Sequence, residues 1–228
     1  MSKILALDTS TDACSVALWV DGEVREDFRL APREHTRLLL PMAEALLAEA
    51  GLAPSQLDAV AFGRGPGSFT GIRIATGVAQ GLAFAADLKV LPVSTLEAMA
   101  LQQGREQQRD WIVAALDARM DEIYWCAYEL ICGVPNALVA EQVCAPDELF
   151  LPSLKPWLAA GPGFNYLDQM SASVQDGLQG ASIIEVYPSA GAMLPLAERD
   201  LLAGRGLAPE EGLPVYLREG TWKKKDEQ

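Results

Sequence analysis

The sequence predicts a duplicated α/β protein, one strand-hairpin-helix unit followed by a second copy of itself. Three observations carry that expectation. ILALDTS, ACSVALWVD and EVREDFRL alternate as strands do, and Asp21-Gly22 between the last two is a hairpin turn signal. Beyond a polar stretch, QGREQQRD, the pattern starts again: WIVAALDA reads as a buried strand, a turn carries Asp121, and EIYWCAYEL reads as the next strand. Laid side by side, DTSTDACSVAL and DARMDEIYWCA share the form strand-Asp-x-x-x-Asp-strand, with Asp8 and Asp12 matched to Asp117 and Asp121. The expected division is therefore 1–105 and 106–228. The second unit is the more irregular, with turns at Gly133 to Asn136 and Gly161 to Gly163, and its last segment is expected to pack back on the first.

The elements follow in order. After the opening meander, a helix is expected over 36–50 with Gly51 as its stop, and Pro41 calls for a kink or a frayed first turn. A strand over 58–62, the glycine turn GRGPGSFTGIR, a helix over 71–86 and a strand over 90–93 complete the first unit. A late helix is expected over 189–202.

Composition narrows the function classes. At 228 residues, half of them apolar, the chain buries an ordinary core, and it has no run of about 18 apolar residues, so a cytoplasmic location and no membrane role are expected. A net charge of -13 argues against gripping a phosphate backbone alone. The Lys223-Lys224-Lys225 run is the dense basic patch, read as a solvated tail. Cys14, Cys126, Cys132 and Cys144 have no C-x-x-C spacing and read as small buried hydrophobes. One histidine, His35, serves the chain, so a two-histidine metal site is excluded, and its place at a helix start fits a polar cap or surface contact.

GRGPGSFTGIR poses the main question of chemistry. A Walker A loop needs G-x-x-x-x-G-K-[ST], and no frame beginning at Gly63, Gly65 or Gly67 supplies it. The dinucleotide pattern fails because Gly65 and Gly67 lead to Thr70. Gly65, Gly67, Ser68 and Gly71 thus read as a structural turn, with a weak anion site at the helix start as the other reading.

The two helices that flank it carry more. In LLLPMAEALLAEA only Glu44 and Glu49 are charged, about 140° apart at 100° per residue, so the helix has more apolar surface than one core stripe requires. In GIRIATGVAQGLAFAA, Gly77 and Gly81 each cost about 1 kcal/mol against alanine, a cost offset either by another helix at short range or by tight packing on the chain's own sheet. A partner interface is expected from Leu39, Met42, Leu46, Arg73, Ala75, Gly77, Ala79 and Gly81. For chemistry in the chain itself the candidate is Asp8, with Ser10 beside it, as a magnesium-orienting carboxylate or as a turn cap.

ILALDTST with ACSVAL, PREHT, GRGPGSFTGIRI and PVSTLEAMA closely resemble the TsaB (YeaZ) family, over essentially the whole chain. The resemblance implies duplicated ribonuclease H-like domains of the actin-like/Hsp70-like superfamily. It implies an accessory, non-catalytic role in forming threonylcarbamoyladenosine beside the anticodon of tRNA. TsaD is the implied heterodimer partner, TsaE a third component, and a second copy the partner in isolation. RNA is then met only through the complex; the chain alone takes no cofactor, and ATP or ADP belongs only to the assembly. TsaD carries a His-x-x-x-His motif after the strand matching 90–93, and its histidines fall on Thr95 and Met99 here, so no metal site is expected; Ser94 and Glu97 instead have the form of a capping box. The alternative is an enzyme of the same fold, an ATP-dependent phosphotransferase using Asp8 or a metallopeptidase-like protein.

Overall fold

The computed structural model describes residues 2–179 and 183–218; the lysine run at 223–225 lies outside the described residues. The first unit opens with an antiparallel meander of β1 (Ile4–Asp8), β2 (Ala13–Val20) and β3 (Glu23–Leu30). Then come α1 (His35–Glu49), β4 (Ala59–Gly65), α2 (Phe69–Ala86) and β5 (Lys89–Ser94), which add two parallel strands to give the order β3-β2-β1-β4-β5. α3 (Thr95–Gln107) leads to the second unit: β6 (Trp111–Arg119), β7 (Glu122–Ile131), β8 (Val134–Ala137), β9 (Gln142–Cys144), β10 (Leu158–Ala160), α4 (Ala172–Gly177) and β11 (Ile183–Ile184). Its order is β11-β10-β6-β7-β8, with β9 also on β7, so the meander and its parallel extension are repeated strand for strand.

The repeat extends to atoms. At the end of β1, Asp8 Oδ1 accepts the Ser10 N–H at 2.9 Å; at the end of β6, Asp117 Oδ1 accepts the Arg119 N–H at 2.7 Å. Each aspartate closes its turn in the same way, which is why the two sequence openings align.

Every residue of β1 is buried, as a strand covered on both faces requires. One face of the first sheet packs under α1 and α2, where Leu5, Leu7, Val16, Val60 and Phe62 meet the helices. The other face packs under α5 (Ala190–Leu202), where Ile4, Ala6, Ala61 and Val93 meet Met193, Leu194 and Ala197. After α5 the chain runs along the β5 edge, where Val90 and Leu207 exchange N–H and C=O at 3.0 Å, and then over α2 toward the second unit.

The helix faces correct part of the sequence reading. On α1 the buried stripe is His35, Leu39, Met42, Ala43, Leu46 and Leu47, so Leu39, Met42 and Leu46 belong to this chain's own core and cannot present area to a partner. On α2, Ala75 and Ala79 likewise lie in the core with Ala83, small because the helix rides close on β4. Gly77 and Gly81 point the other way, with nothing among the described residues within 4 Å of where a Cβ would stand. The first turn of α1 is not frayed: the helix runs from His35 through Pro41, which stands on its exposed side. Cys14 and Cys126 are buried as expected, Cys144 is half-buried, and Cys132 departs from the expectation by standing exposed in the β7–β8 turn.

Because Leu46 is a core residue, Leu46→Asp buries an unpaired charge between α1 and the sheet. It is expected to lower folding stability by about 3 kcal/mol or more, measured by urea unfolding of the isolated chain.

Candidate docking face and interdomain cleft

The glycine turn is built by close approach of two backbones. It lies on the β1–β2 turn: the Ser68 N–H donates to the Ser10 carbonyl at 2.7 Å, and the Thr9 hydroxyl donates to the Gly71 carbonyl at 2.7 Å. A Cβ on Gly67 would strike Ser10, and one on Gly71 would strike the Thr9 carbonyl. Gly65 has φ +94, a conformation that favours glycine. Ser68 then caps α2 by accepting the Gly71 N–H at 3.3 Å. Each of these groups therefore has a structural task, and the one exposed end of the turn faces the cleft between the units.

That cleft has a volume of about 470 Å³ and opens between Ser10, Thr11, Asp12 and Ser68 on one side and Asp117, Arg119 and Tyr166 on the other, with Arg218 at its rim. Its cations are engaged. Arg119 pairs with Asp117 at 3.0 Å, and Arg218 pairs with Glu122 while donating to the carbonyls of Ala118 and Arg119. Among the described residues no three His, Cys, Asp or Glu side chains gather as a metal site would require.

Asp8 is not part of the cleft lining. Its carboxyl is fully buried, with Oδ1 holding Ser10 and Oδ2 without a partner against Gly63, where a Cβ would collide with it. Burial pushes its pKa from 3.8 up to about 6, offset in part by the hydrogen bonds from Ser10. Ser10 does line the cleft. Thr95 and Met99, in the first two turns of α3, are both fully buried, Met99 packing with Leu96, Leu116 and Leu158. Ser94 caps α3 through the Glu97 N–H at 3.1 Å; the Glu97 carboxylate does not close a capping box and instead pairs with Arg199 at 2.9 Å. His35 is buried too, its Nε2 donating to the Thr11 carbonyl at 2.8 Å, so it anchors the β1–β2 turn to α1 rather than capping a helix at the surface.

The outward side of α2 is a different kind of surface. Thr70, Arg73, Gly77, Gly81 and Phe84 share one exposed stripe, with Phe84 80% exposed. At its head the Arg73 guanidinium stacks 3.4 Å over the Phe69 ring and donates through Nε to the Tyr216 hydroxyl at 2.7 Å. Beside it α1 exposes Leu40, Pro41, Ala45 and Ala48. Phe69, Phe84 and Tyr216 escape a reading of the sequence alone. A helical wheel through Gly77 reaches Phe84, but no local pattern joins Tyr216 to Arg73 across 143 positions.

Two ribonuclease H-like units in tandem, with a cleft between them and paired helices on the first, define a member of the actin-like superfamily. The family model for TsaD, tRNA N6-adenosine threonylcarbamoyltransferase, matches residues 29–176. The chain is 40% identical to the tRNA threonylcarbamoyladenosine biosynthesis protein TsaB of Escherichia coli, covering 97% of each, and 42% identical to the same protein of Haemophilus influenzae, covering 97% and 96%. The solved structure of YeaZ from Pseudomonas aeruginosa superposes with a TM-score of 0.89 at 45% identity, over 95% of this chain and all of that one. The chain belongs to the TsaB family.

The buried Asp8 carboxyl makes a pH-dependent prediction. A folded pKa above the unfolded value gives stability that is complete below pH 3.8 and is lost as pH rises through about 6, a difference worth about 3 kcal/mol. Asp8→Asn keeps the acceptor for Ser10 without the charge. Its stability relative to wild type is expected to improve by about that amount between pH 4 and pH 7.5, measured by urea unfolding across the range.

Proposed function

We propose that this chain is an accessory, non-catalytic subunit in the formation of threonylcarbamoyladenosine in tRNA, acting by docking on a threonylcarbamoyltransferase of the TsaD type, with TsaE as a third component. The observation that carries the reading is the outward stripe of α2. Gly77 and Gly81 cost helix stability and pack against nothing among the described residues, and the groove they leave admits the backbone of another helix. The exposed apolar residues of α1 extend that surface, and Phe69, Arg73 and Tyr216 stand at its end as an aromatic and cationic cluster of the composition that anchors interfaces.

The cleft supports the same reading from the other side. Asp12 and Asp117 line it, and Arg119 and Arg218 are already occupied, so it offers a poor seat for a triphosphate. Any ATP or ADP then belongs to the assembly. Thr95 and Met99 stand where the resemblance places the metal histidines, and both are sealed in the core. A net charge of -13 leaves RNA to be held by the partner.

Two measurements test the proposal. Gly77→Leu adds bulk into open space, so the variant is expected to fold with unchanged or higher melting temperature, yet to bind the cognate threonylcarbamoyltransferase at least about tenfold more weakly by calorimetry. Unchanged affinity in a folded variant would move the interface off α2. In filter binding at physiological salt, the chain alone is expected to retain little tRNA, with retention appearing once the partner is added; submicromolar binding by the chain alone would count against the division of labour.

A further inference from the structure

Among the described residues three hairpins turn through two residues, joining β2 to β3, β6 to β7 and β7 to β8. Each has positive φ at both turn positions, a conformation that glycine adopts freely and bulky side chains resist. Two of the turns meet that demand in the ordinary way, with Asp21 (φ +52) before Gly22 (φ +89) and Cys132 (φ +53) before Gly133 (φ +75). The β6–β7 turn does not. It is made of Met120 (φ +59) and Asp121 (φ +58), and Arg119 before them is left-handed as well, at φ +62. Aspartate tolerates this region, but a run of three such residues without a glycine crowds each Cβ against the carbonyl oxygen that follows. The ladder also shifts register here, between Asp117 and Arg119.

Backbone strain of this kind persists where surrounding contacts over-determine it. Here the contacts come from one distant side chain. Arg218 Nη2 donates to the carbonyls of Ala118 and Arg119, each at 3.2 Å, and pairs with Glu122, while Nη1 donates to the Met120 sulfur at 3.5 Å. A planar fork with several donors can hold two carbonyls, a carboxylate and a sulfur at once; a lysine ammonium cannot. From within the hairpin, Asp117 adds the Arg119 N–H at 2.7 Å and its guanidinium at 3.0 Å. The Asp21-Gly22 turn, by contrast, keeps its shape with no side-chain hydrogen bond among the described residues.

Arg218 reaches the turn from a segment anchored on the first unit. The Val215 N–H donates to the Arg64 carbonyl at 2.8 Å, and the Tyr216 hydroxyl accepts from Arg73 at 2.7 Å, so the arm is held by β4 and α2 while the strained turn belongs to the second unit. Asp117, Ala118 and Arg119 are at the same time lining residues of the cleft. A change in the turn is therefore a change in the cleft wall.

We propose that the β6–β7 turn is a two-state element: Arg218, a latch carried by the first unit, holds it in the strained left-handed form, and when the latch opens the turn relaxes and reshapes the second unit's wall of the cleft. The latch is closed in the chain alone. A double-mutant cycle followed by urea unfolding tests this on the full chain. Met120→Gly relieves strain only while the latch enforces it, so with Arg218 in place it is expected to raise the folding equilibrium constant about threefold. In Arg218→Ala the relaxed turn gains nothing from glycine, and the same substitution is expected to lower that constant through the freedom it adds to the unfolded chain. Arg218→Lys, which keeps the charge without the fork, is expected to behave as Arg218→Ala. Amide exchange supplies an independent readout: at Arg119 and Glu122 it quickens at least about tenfold in Arg218→Ala, while the Asp21-Gly22 turn exchanges as before. Equal stabilisation by Met120→Gly with and without Arg218 would mean that the turn stays left-handed unaided, and would overturn the proposal. So would a Met120→Gly chain no more stable than wild type when Arg218 is present, or exchange at the turn that Arg218→Ala leaves unaltered.

Discussion

The seating of the glycine turn on the β1–β2 turn is the contact from which the rest of the first unit follows. Ser68 and Gly71 are held to Ser10 and Thr9 by hydrogen bonds of 2.7 Å, at a separation that no Cβ on Gly67 or Gly71 would permit. The contact fixes where α2 begins and along which line it leaves the sheet. It also covers Asp8, whose free oxygen lies over Gly63, so the end of β1 is sealed instead of open to a ligand. The glycines that resemble a phosphate loop in the sequence are there to let two turns touch.

Once its start is fixed, α2 can be two-sided. Its inner stripe is Ile72, Ala75, Thr76, Ala79 and Ala83, short enough for the helix axis to lie near β4. Its outer stripe has glycine where an ordinary surface helix would place long polar chains. The segment after α5 supports this side: Val215 donates to the Arg64 carbonyl at 2.8 Å, Gln80 donates to the Gly212 carbonyl at 3.1 Å, and Tyr216 holds Arg73. The same segment reaches the second unit through Arg218, so the outer face of α2 and the width of the cleft are tied to one strand of chain. Arg64 and Glu141, 3.1 Å apart, add a second tie between the units.

Much of this was legible in the sequence, and the failures have physical causes. The duplicated order came through because strand alternation and the Asp-x-x-x-Asp turns are local signals, and both aspartates close their turns with the same hydrogen bond. Helix positions came through for the same reason. Which face of α1 looks inward did not, because the helix is apolar nearly all round and its periodicity does not distinguish Leu39, Met42 and Leu46 from Leu40, Pro41 and Ala45. In α2 the small residues serve two ends, with alanines inward and glycines outward, and sequence shows only that all are small. Asp8 caps its turn, one of the two roles its position offers, and His35 is not the surface contact or polar cap that a helix start suggests; the burial of both depends on contacts with Gly63 and Thr11, which are distant in sequence. The Arg73–Tyr216 contact spans 143 positions and has no local signature.

In the role we propose, this protein acts through a surface rather than through chemistry of its own, and that surface is the outer side of α1 and α2. Amide hydrogen exchange of the chain, alone and with the cognate threonylcarbamoyltransferase, reads it most directly. The account predicts added protection concentrated in α1 and α2, with the cleft turns around Ser10 and Asp117 little changed. Protection confined to those cleft turns, with α2 exchanging as it does in the free chain, would contradict it.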